Sequence, residues 1–396
     1  MSDPAECVRV SVFYDVPDWA FHNIAQNIQS ISSATYTVNT YGRDDWFGVP
    51  RKADAILAQS DVAVFLWRFD LLAFLDCLSD DGWAHLKKKP RCAFVVVVYD
   101  HIYADAHALE MHGNPFELAD GIAASSQLLC RQYSDADHLP DIVHHVPDGV
   151  DLSRFSNSAP PPSVEGQPLR IGWAGNSKWG ITLGHDFKGK QSVFDPAMDI
   201  LRGADLPFTV HIADKAQRQL PREDMPDFYR GIDVLVCCSV FEGTPNPVLE
   251  AMASGCAIVS TDVGIVSQIL GPKQKAFILP QRDPADLARS IEHLIREPET
   301  LLALKRENLE RRASLDWHTR WPAWRNLFEE AIANADEALI TTRALLSFRD
   351  RKKSRIARMR KILATSKTAF RAYSLISLRF PGLIRWGKRI LSENRK

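Results

Sequence analysis

No apolar run in this 396-residue chain approaches the about 20 residues that a membrane-crossing helix needs; the longest, such as Phe94–Val98, are strand-length. The opening residues, MSDPAECVRV, lack the basic and apolar segments of a signal peptide, so none is expected. Cysteine is sparse and unpatterned: Cys7, Cys77, Cys92, Cys130, Cys237, Cys238 and Cys256 are odd in number and form neither a CxxC nor a Cys/His zinc spacing. That argues against a disulfide scaffold or a structural metal site, and for reduced thiols in a cytoplasmic protein. Cys237 and Cys238 adjoin on a strand-like run and read as core rather than as a redox pair. No self-similarity at solenoid periods is present.

Net charge is also scarce, at −1, but it conceals an asymmetry. From Arg343 to the end there are 17 Lys and Arg against only Asp350 and Glu393. A basic segment of this kind suggests an anionic partner. What the chain does have is bulk: 45% hydrophobic residues, 19 Phe and 10 Trp. Its length exceeds one ordinary domain and suits two domains plus an extension.

The first part alternates β-rich runs with helical patterns. Val8–Phe13, Asp61–Phe65, Cys92–Val98, Gly121–Ala124 and Ile142–Val146 read as strands, and Trp19–Ser30 and Phe69–Leu78 as helices. The nearly continuous Val run before Tyr99 is typical of a strand covered on both faces. Such alternation predicts a parallel, doubly wound sheet. Ser158–Pro168, SAPPPSVEGQP, reads as a linker. A second series follows, with strands at Leu169–Ala174, Phe208–Ile212, Ile232–Cys238, Ala257–Ser260 and Ala276–Leu279. Its helices are expected at Ser192–Leu201, Asp224–Arg230, Pro247–Ala253 and Asp283–Arg296, and the chain is helical from Glu299 almost to its end. The expected division is residues 1–157, a linker at 158–168, a second domain at 169–335 and a basic helical tail at 336–396.

The segment from Ile232 to Leu270, IDVLVCCSVFEGTPNPVLEAMASGCAIVSTDVGIVSQIL, reads as strand, polar loop, helix, strand. Asn246 suits an N-cap, Pro247 the first helical position and Gly255 the stop. The helix therefore begins at the carboxyl edge of a parallel strand, where open α/β sheets bind ligands. Free N–H groups and the positive end of the dipole favour a phosphate there. Gly243 allows close backbone approach. Glu242 and Glu250 flank this loop, with Glu250 expected in the first helical turn. A carboxylate can accept two hydrogen bonds from vicinal sugar hydroxyls. Equally, Glu242 could cap a turn and Glu250 could simply favour its helix dipole.

FEGTPNPVLEAMASG, from Phe241 to Gly255, resembles the E-x7-E signature of group 1 (family 4) glycosyltransferases. The following AIVSTDVG and the earlier VPDGVDLSRF, from Val146 to Phe155, are similar to further segments of that family. Asp148 stands where the family has Asn. The resemblance covers roughly residues 90–330. It implies a GT-B fold, two Rossmann-like domains facing a cleft, and retaining transfer without a metal or cofactor. It implies that Glu250 binds the nucleotide ribose and that Glu242 faces the donor sugar. Backbone N–H groups near Gly243, Thr244 and Val248 would hold the diphosphate. Lys188 matches the family's Lys-Gly. The family's earlier Arg is absent; Asn176 lies near its place, and Lys178 is the nearest cation to substitute. His101 occupies a strand-end position where the family often has a His facing the donor sugar. Asp100 could orient that His or bind acceptor. One departure stands out. The loop Tyr14–His22, YDVPDWAFH, lacks the family's glycine pair, so Trp19 and His22 either shape an acceptor pocket or pack locally.

The expected activity is glycosyl transfer from a nucleotide-diphosphate sugar to a hydroxyl of a saccharide or lipid-linked saccharide, in cell-surface polysaccharide or glycolipid synthesis. Two other readings are a GT-B hydrolase or epimerase of nucleotide sugars, and a silent scaffold or nucleic-acid binder working through its basic tail. The intact Glu242, Glu250 and Lys188 weigh against the last. After Lys361, apolar residues recur at nearly helical spacing, interleaved with Lys367, Arg371, Arg385, Lys388 and Arg389, with Trp386 among them. This basic amphipathic pattern suits either an anionic membrane surface, making the protein peripheral at the inner face, or a partner protein.

Overall fold

The computed structural model describes residues 7–88, 90–142, 144–155, 167–181, 184–337 and 344–351. Most of the expected linker and everything beyond Arg351 lie outside the described residues, and with them the amphipathic pattern expected after Lys361. Among the described residues no helix is long and apolar enough to cross a membrane.

The chain forms two parallel sheets. The first contains β1 Val8–Tyr14, β2 Tyr36–Gly42, β3 Val62–Phe65, β4 Ala93–Val98, β5 Gly121–Ala124 and β6 His144–His145, in the order β2-β1-β3-β4-β5-β6. The second contains β7 Leu169–Gly175, β8 Phe208–Asp214, β9 Val234–Cys237 and β10 Ala257–Ser260, in the order β10-β9-β7-β8. In each sheet the strand order reverses once, between β1 and β3 and between β7 and β9. Such reversal points are where open α/β sheets hold ligands.

Burial explains why these runs become strands. All six residues of β4 are buried, as its Val-rich sequence requires of a central strand with helices on both faces. β2 was not anticipated from buried runs. Its residues alternate between buried Tyr36 and Val38 and exposed Thr37 and Asn39, the pattern of an edge strand. The strand expected at Ala276–Leu279 is corrected: Gln274–Phe277 is a 3-10 turn, and only Ile278 bridges to Ser260.

The chain crosses between the sheets twice, and the two crossings touch. Val150 N–H donates to the Leu315 carbonyl at 2.8 Å. A side chain on Gly149 would meet the Trp317 backbone at 2.8 Å, so only glycine lets the strands approach this closely. The helix Trp317–Glu337 then returns to the first sheet, burying Trp324, Leu327, Phe328 and Ala331 against Val10, Val12 and Val95. Each large side chain buried this way contributes about 1.5–3 kcal/mol, which fixes this helix to the first domain. Residues 344–351 are helical as well. Leu345 is buried in the first domain's core, and Arg349 pairs with Asp80 at 2.7 Å. Residues 344–351 are therefore docked on the first domain through Leu345 and Arg349.

Candidate active site

The carboxyl ends of the two sheets face each other across a cleft. Lys215 Nζ in the loop after β8 donates to the Asp18 carbonyl after β1, at 3.0 Å. The His101 ring after β4 meets the Phe241 ring after β9, with centroids 4.8 Å apart. A side chain on Gly243 would strike Ser125 Oγ and meet the Tyr99 carbonyl at 2.6 Å. Gly243 is therefore the point where the second domain's loop leans on the first domain's strand ends.

The loop after β9 is followed by the helix Asn246–Ala253. Its stop is as expected. Gly255 takes φ +79°, its N–H donates to the Met252 carbonyl at 3.0 Å, and Cys256 N–H donates to Ala251 at 2.9 Å. These paired bonds form a Schellman closure. The start differs. Asn246 is the first helical residue, Pro245 holds the cap position, and no side chain caps the helix. Pro at both 245 and 247 fixes the entry without a capping bond. Glu250 consequently lies beyond the first turn. The Val248 N–H is occupied by the Pro245 carbonyl at 2.8 Å. The N–H groups of Gly243 and Thr244 meet no acceptor among the described residues.

Glu242 is mostly buried and doubly held: its Oε1 accepts from Lys188 Nζ at 2.5 Å and from Ser239 Oγ at 2.7 Å. Lys188 comes from the loop after β7, so this pair sits at the sheet's reversal point. Two features place it there. Gly189 adopts φ +72°, and any side chain on it would collide with the Cys238 carbonyl. Arg282 donates to the Cys238 carbonyl at 2.7 Å and to the Asp186 carbonyl at 2.6 Å, joining the two loops. Nothing in local sequence pattern singled out Arg282. Lys188 also lies 5.2 Å from the Trp179 ring centroid, and Trp179, Phe187 and Phe241 pack together beside it. By contrast, Asn176 Oδ1 accepts from its neighbour Lys178 N–H at 3.0 Å, shaping its own turn, and Lys178 is exposed.

Glu250 Oε2 accepts from Tyr229 OH at 2.7 Å. Burial pushes its carboxyl up to about 7, against the opposing pull of the Tyr229 bond and of Arg222 and Arg154. The hollow in front of it is lined from both domains, by Asn23 and Asn27 of the first helix, the crossing residues Gly149–Asp151, and Arg222. Arg222 donates to Gln26 at 2.5 Å and to Asn27 at 2.8 Å.

On the first domain's side, Asp100 Oδ1 is taken by Arg68 at 3.1 Å and by Ile102 N–H at 3.0 Å. Buried Arg68 also bonds the Ile102 carbonyl, so it grips the chain on both sides of His101. Trp19 lies under Lys215, whose Nζ is 4.3 Å from its ring centroid. His22 stacks on Tyr14 with centroids 4.4 Å apart, and its Nδ1 accepts from Asp18 N–H at 2.9 Å. Asp18 takes φ +58°, the left-handed turn a glycine would normally supply. The glycine-free loop thus forms a clasp between the domains, with Trp19 in the contact and His22 bracing the turn from within the first domain.

Two facing Rossmann-like sheets, a returning C-terminal helix and a site at the reversal points define the GT-B fold. Within it, residues 203–297 match the family model of glycosyl transferases group 1. A sucrose-phosphate synthase from Thermosynechococcus elongatus superposes with a TM-score of 0.61 at 14% identity, covering 82% of this chain and 99% of that one. Anabaena HepE in complex with UDP-glucose gives a TM-score of 0.61 at 12% identity, covering 81% and 99%. In sequence, the putative teichuronic acid biosynthesis glycosyltransferase TuaC of Bacillus subtilis (strain 168) is 28% identical over 158 residues, 37% of this chain. The 2-deoxystreptamine glucosyltransferase of Streptomyces kanamyceticus is 26% identical over 200 residues, 44% of this chain. The chain spans only 40% and 49% of those two relatives' lengths.

Proposed function

We propose that this protein transfers a glycosyl group from a nucleotide-diphosphate sugar to an acceptor hydroxyl with retention of configuration. The observation that carries the reading is the Lys188–Glu242 pair, set at the reversal point beside the unengaged N–H groups of Gly243 and Thr244. The diphosphate lies against those N–H groups and the helix start. Lys188 turns from Glu242 to the phosphate and stabilises the charge that develops as the sugar leaves. Glu242 then receives sugar hydroxyls in place of the ammonium, and Glu250 receives those of the ribose. The bond from the anomeric carbon to phosphate oxygen breaks while the acceptor oxygen bonds that carbon on the same face. The acceptor's proton passes to the departing phosphate oxygen, and a nucleoside diphosphate is released. His101, held against Phe241, borders the sugar from the first domain.

That HepE was obtained with UDP-glucose supports a uridine donor as the first to try. TuaC's description, teichuronic acid biosynthesis, supports saccharide acceptors as the first to try. A lipid-linked acceptor would suit the basic segment beyond Arg351, whose sequence fits an anionic membrane surface. The test has two arms. Nucleotide sugars are screened by thermal shift, where a donor at about 100 times its dissociation constant stabilises by about 2.7 kcal/mol. Release of nucleoside diphosphate is then followed with and without saccharide acceptors. Acceptor-dependent release supports transfer; equal release in both arms indicates a hydrolase instead.

A further inference from the structure

Behind the Gly243–Thr244 loop, where the domains meet, lies a group of buried polar atoms that the proposed chemistry does not use. Asp148 is fully buried in the first crossing between the domains. Its Oδ1 accepts from Tyr99 OH at 2.8 Å, and its Oδ2 has no partner. The buried Thr244 hydroxyl also has no partner and stands close enough to influence the Asp148 carboxyl. Ser125 Oγ, which abuts Gly243, is likewise unpartnered. The charged and titratable groups facing this junction are Arg320 of the returning helix, which acts on Asp148 and on His145, His145 itself from β6, and Tyr99 from the end of β4. The Trp324 indole closes the far side by donating to the Pro147 carbonyl at 3.4 Å.

Unpaired polar atoms inside a protein are costly, so a rearrangement that pairs them is favoured. Tyr99 lies two residues before His101, and Thr244 two residues after Glu242. Asp148 touches the first and adjoins the second. We propose that Asp148 is a positioning residue that holds the two lips of the cleft in register, bonding Tyr99 on one side and Thr244 on the other when the donor is bound. The inference rests on the transferase reading for its kinetic arm alone.

Below neutrality the neutral form of Asp148 is the one that can do this. Tyr99 OH already donates to one carboxyl oxygen. A neutral acid can donate its own proton to Thr244 Oγ, as an Asn amide would. Burial raises the Asp148 carboxyl to about 7, against the pull of Tyr99, Thr244 and Arg320, so the neutral form is available below neutrality. Ionisation puts a negative charge behind the loop that is to receive a diphosphate. Asparagine, which the resembling family has here, carries the same shape and donor without titrating.

The experiment compares wild type with Asp148→Asn, Asp148→Ala and Thr244→Val across pH 5.5 to 8.5. The first readout is melting temperature in the absence of ligand, which needs no activity. The folded-state pKa is raised, so the stability contribution of Asp148 is present at acid pH and is lost as pH rises to about 7. The melting temperature of wild type must therefore fall relative to Asp148→Asn up to about pH 7 and run parallel above it. The second readout is kcat/KM for the donor. The ratio of Asp148→Asn to wild type rises as pH passes 7, and Asp148→Ala loses about tenfold or more at every pH. Thr244→Val removes the acceptor and with it the pH dependence of that ratio. Parallel melting curves throughout, or an Asp148→Ala enzyme as active as wild type, overturn the proposal. If wild type shows no transfer at all, the transferase reading fails, and the melting curves still decide the case of Asp148.

Discussion

Lys188 Nζ donates to Glu242 Oε1 at 2.5 Å, joining the loop after β7 to the loop after β9 at the reversal point of the second sheet. Ser239 Oγ holds the same carboxylate oxygen at 2.7 Å, so Glu242 is fixed in place beside Lys188. Neither residue has a charge to spare until a ligand arrives. A diphosphate can then replace the carboxylate as the partner of Lys188, with sugar hydroxyls taking the place of the ammonium on Glu242.

Replacing either member should therefore damage turnover more than folding. Lys188→Met removes the charge that faces the departing phosphate, and a loss of about 10²–10³ in kcat is expected, the scale for one charge-stabilising donor. Glu242→Gln keeps size and lowers kcat/KM through weaker bonds to the sugar, by about 1.5–3 kcal/mol of stabilisation. Steady-state kinetics at saturating acceptor, with circular dichroism to verify folding, check both. Rates near wild type for the two variants would remove this pair from the site.

Glu250 supplies a pH dependence of its own. Its folded-state carboxyl is raised to about 7 by burial. The ionised form is the better acceptor for ribose hydroxyls, so donor affinity should rise as pH climbs through about 7. The stability contribution runs the other way: it is present below the ordinary carboxyl range and is lost as pH rises to about 7. Calorimetric titration with nucleoside diphosphate at pH 6 and 8 tests the first statement. A Glu250→Gln variant should show a flatter profile. Binding that weakens from pH 6 to 8 in wild type would contradict this assignment.

Gly189→Ala should be disproportionately harmful for so small a change. The position takes φ +72°, and the new methyl would collide with the Cys238 carbonyl. Strain of this kind costs about 1–3 kcal/mol. Relieving it by shifting the loop moves the adjacent Lys188 away from Glu242. The expected signature is a lowered melting temperature together with a raised donor KM. Gly184→Ala, at φ +78° but in open space, serves as the control and should affect stability alone.

The clasp between Asp18, Trp19, Lys215 and Arg222 should govern how closed the protein is before donor binds. Lys215 bonds the Asp18 carbonyl and covers Trp19, and Arg222 bonds Gln26 and Asn27. A cation over an indole at an exposed site is worth about 0.5–1 kcal/mol. Lys215→Ala with Arg222→Ala should shift the ligand-free population toward open forms. Small-angle scattering should then show a larger radius of gyration without donor and recovery with saturating donor. Identical scattering of double variant and wild type in both states would show that the clasp is not what closes the cleft.

Much of this arrangement was legible in the sequence because it is local. The Val-rich β4, the Pro-flanked helix start and the Gly255 stop each declare themselves within a few residues. The Glu242–Glu250 spacing and the Lys188–Gly189 pair could be matched to a family pattern. What was not legible depends on distance along the chain. Arg282 reaches back 44 residues to the Cys238 carbonyl, and nothing near it announces that contact. Trp19 and His22 could be read only as aromatic residues in a loop, because Lys215 lies far downstream. Asn246 has good capping chemistry, but the prolines on either side shift the helix start by one residue and leave its side chain without that task. β2 was missed because its alternation marks an edge strand, whereas the other strands of that sheet were found as buried runs.

The most direct measurement is proton NMR of a complete reaction, following the anomeric proton of the nucleotide sugar in the presence of acceptor. The expected result is that the donor signal disappears in step with a new glycoside of the same anomeric configuration, and that both changes slow together in Lys188→Met and Glu242→Gln. A product of inverted configuration, or free sugar formed at the same rate whether or not acceptor is present, would contradict it.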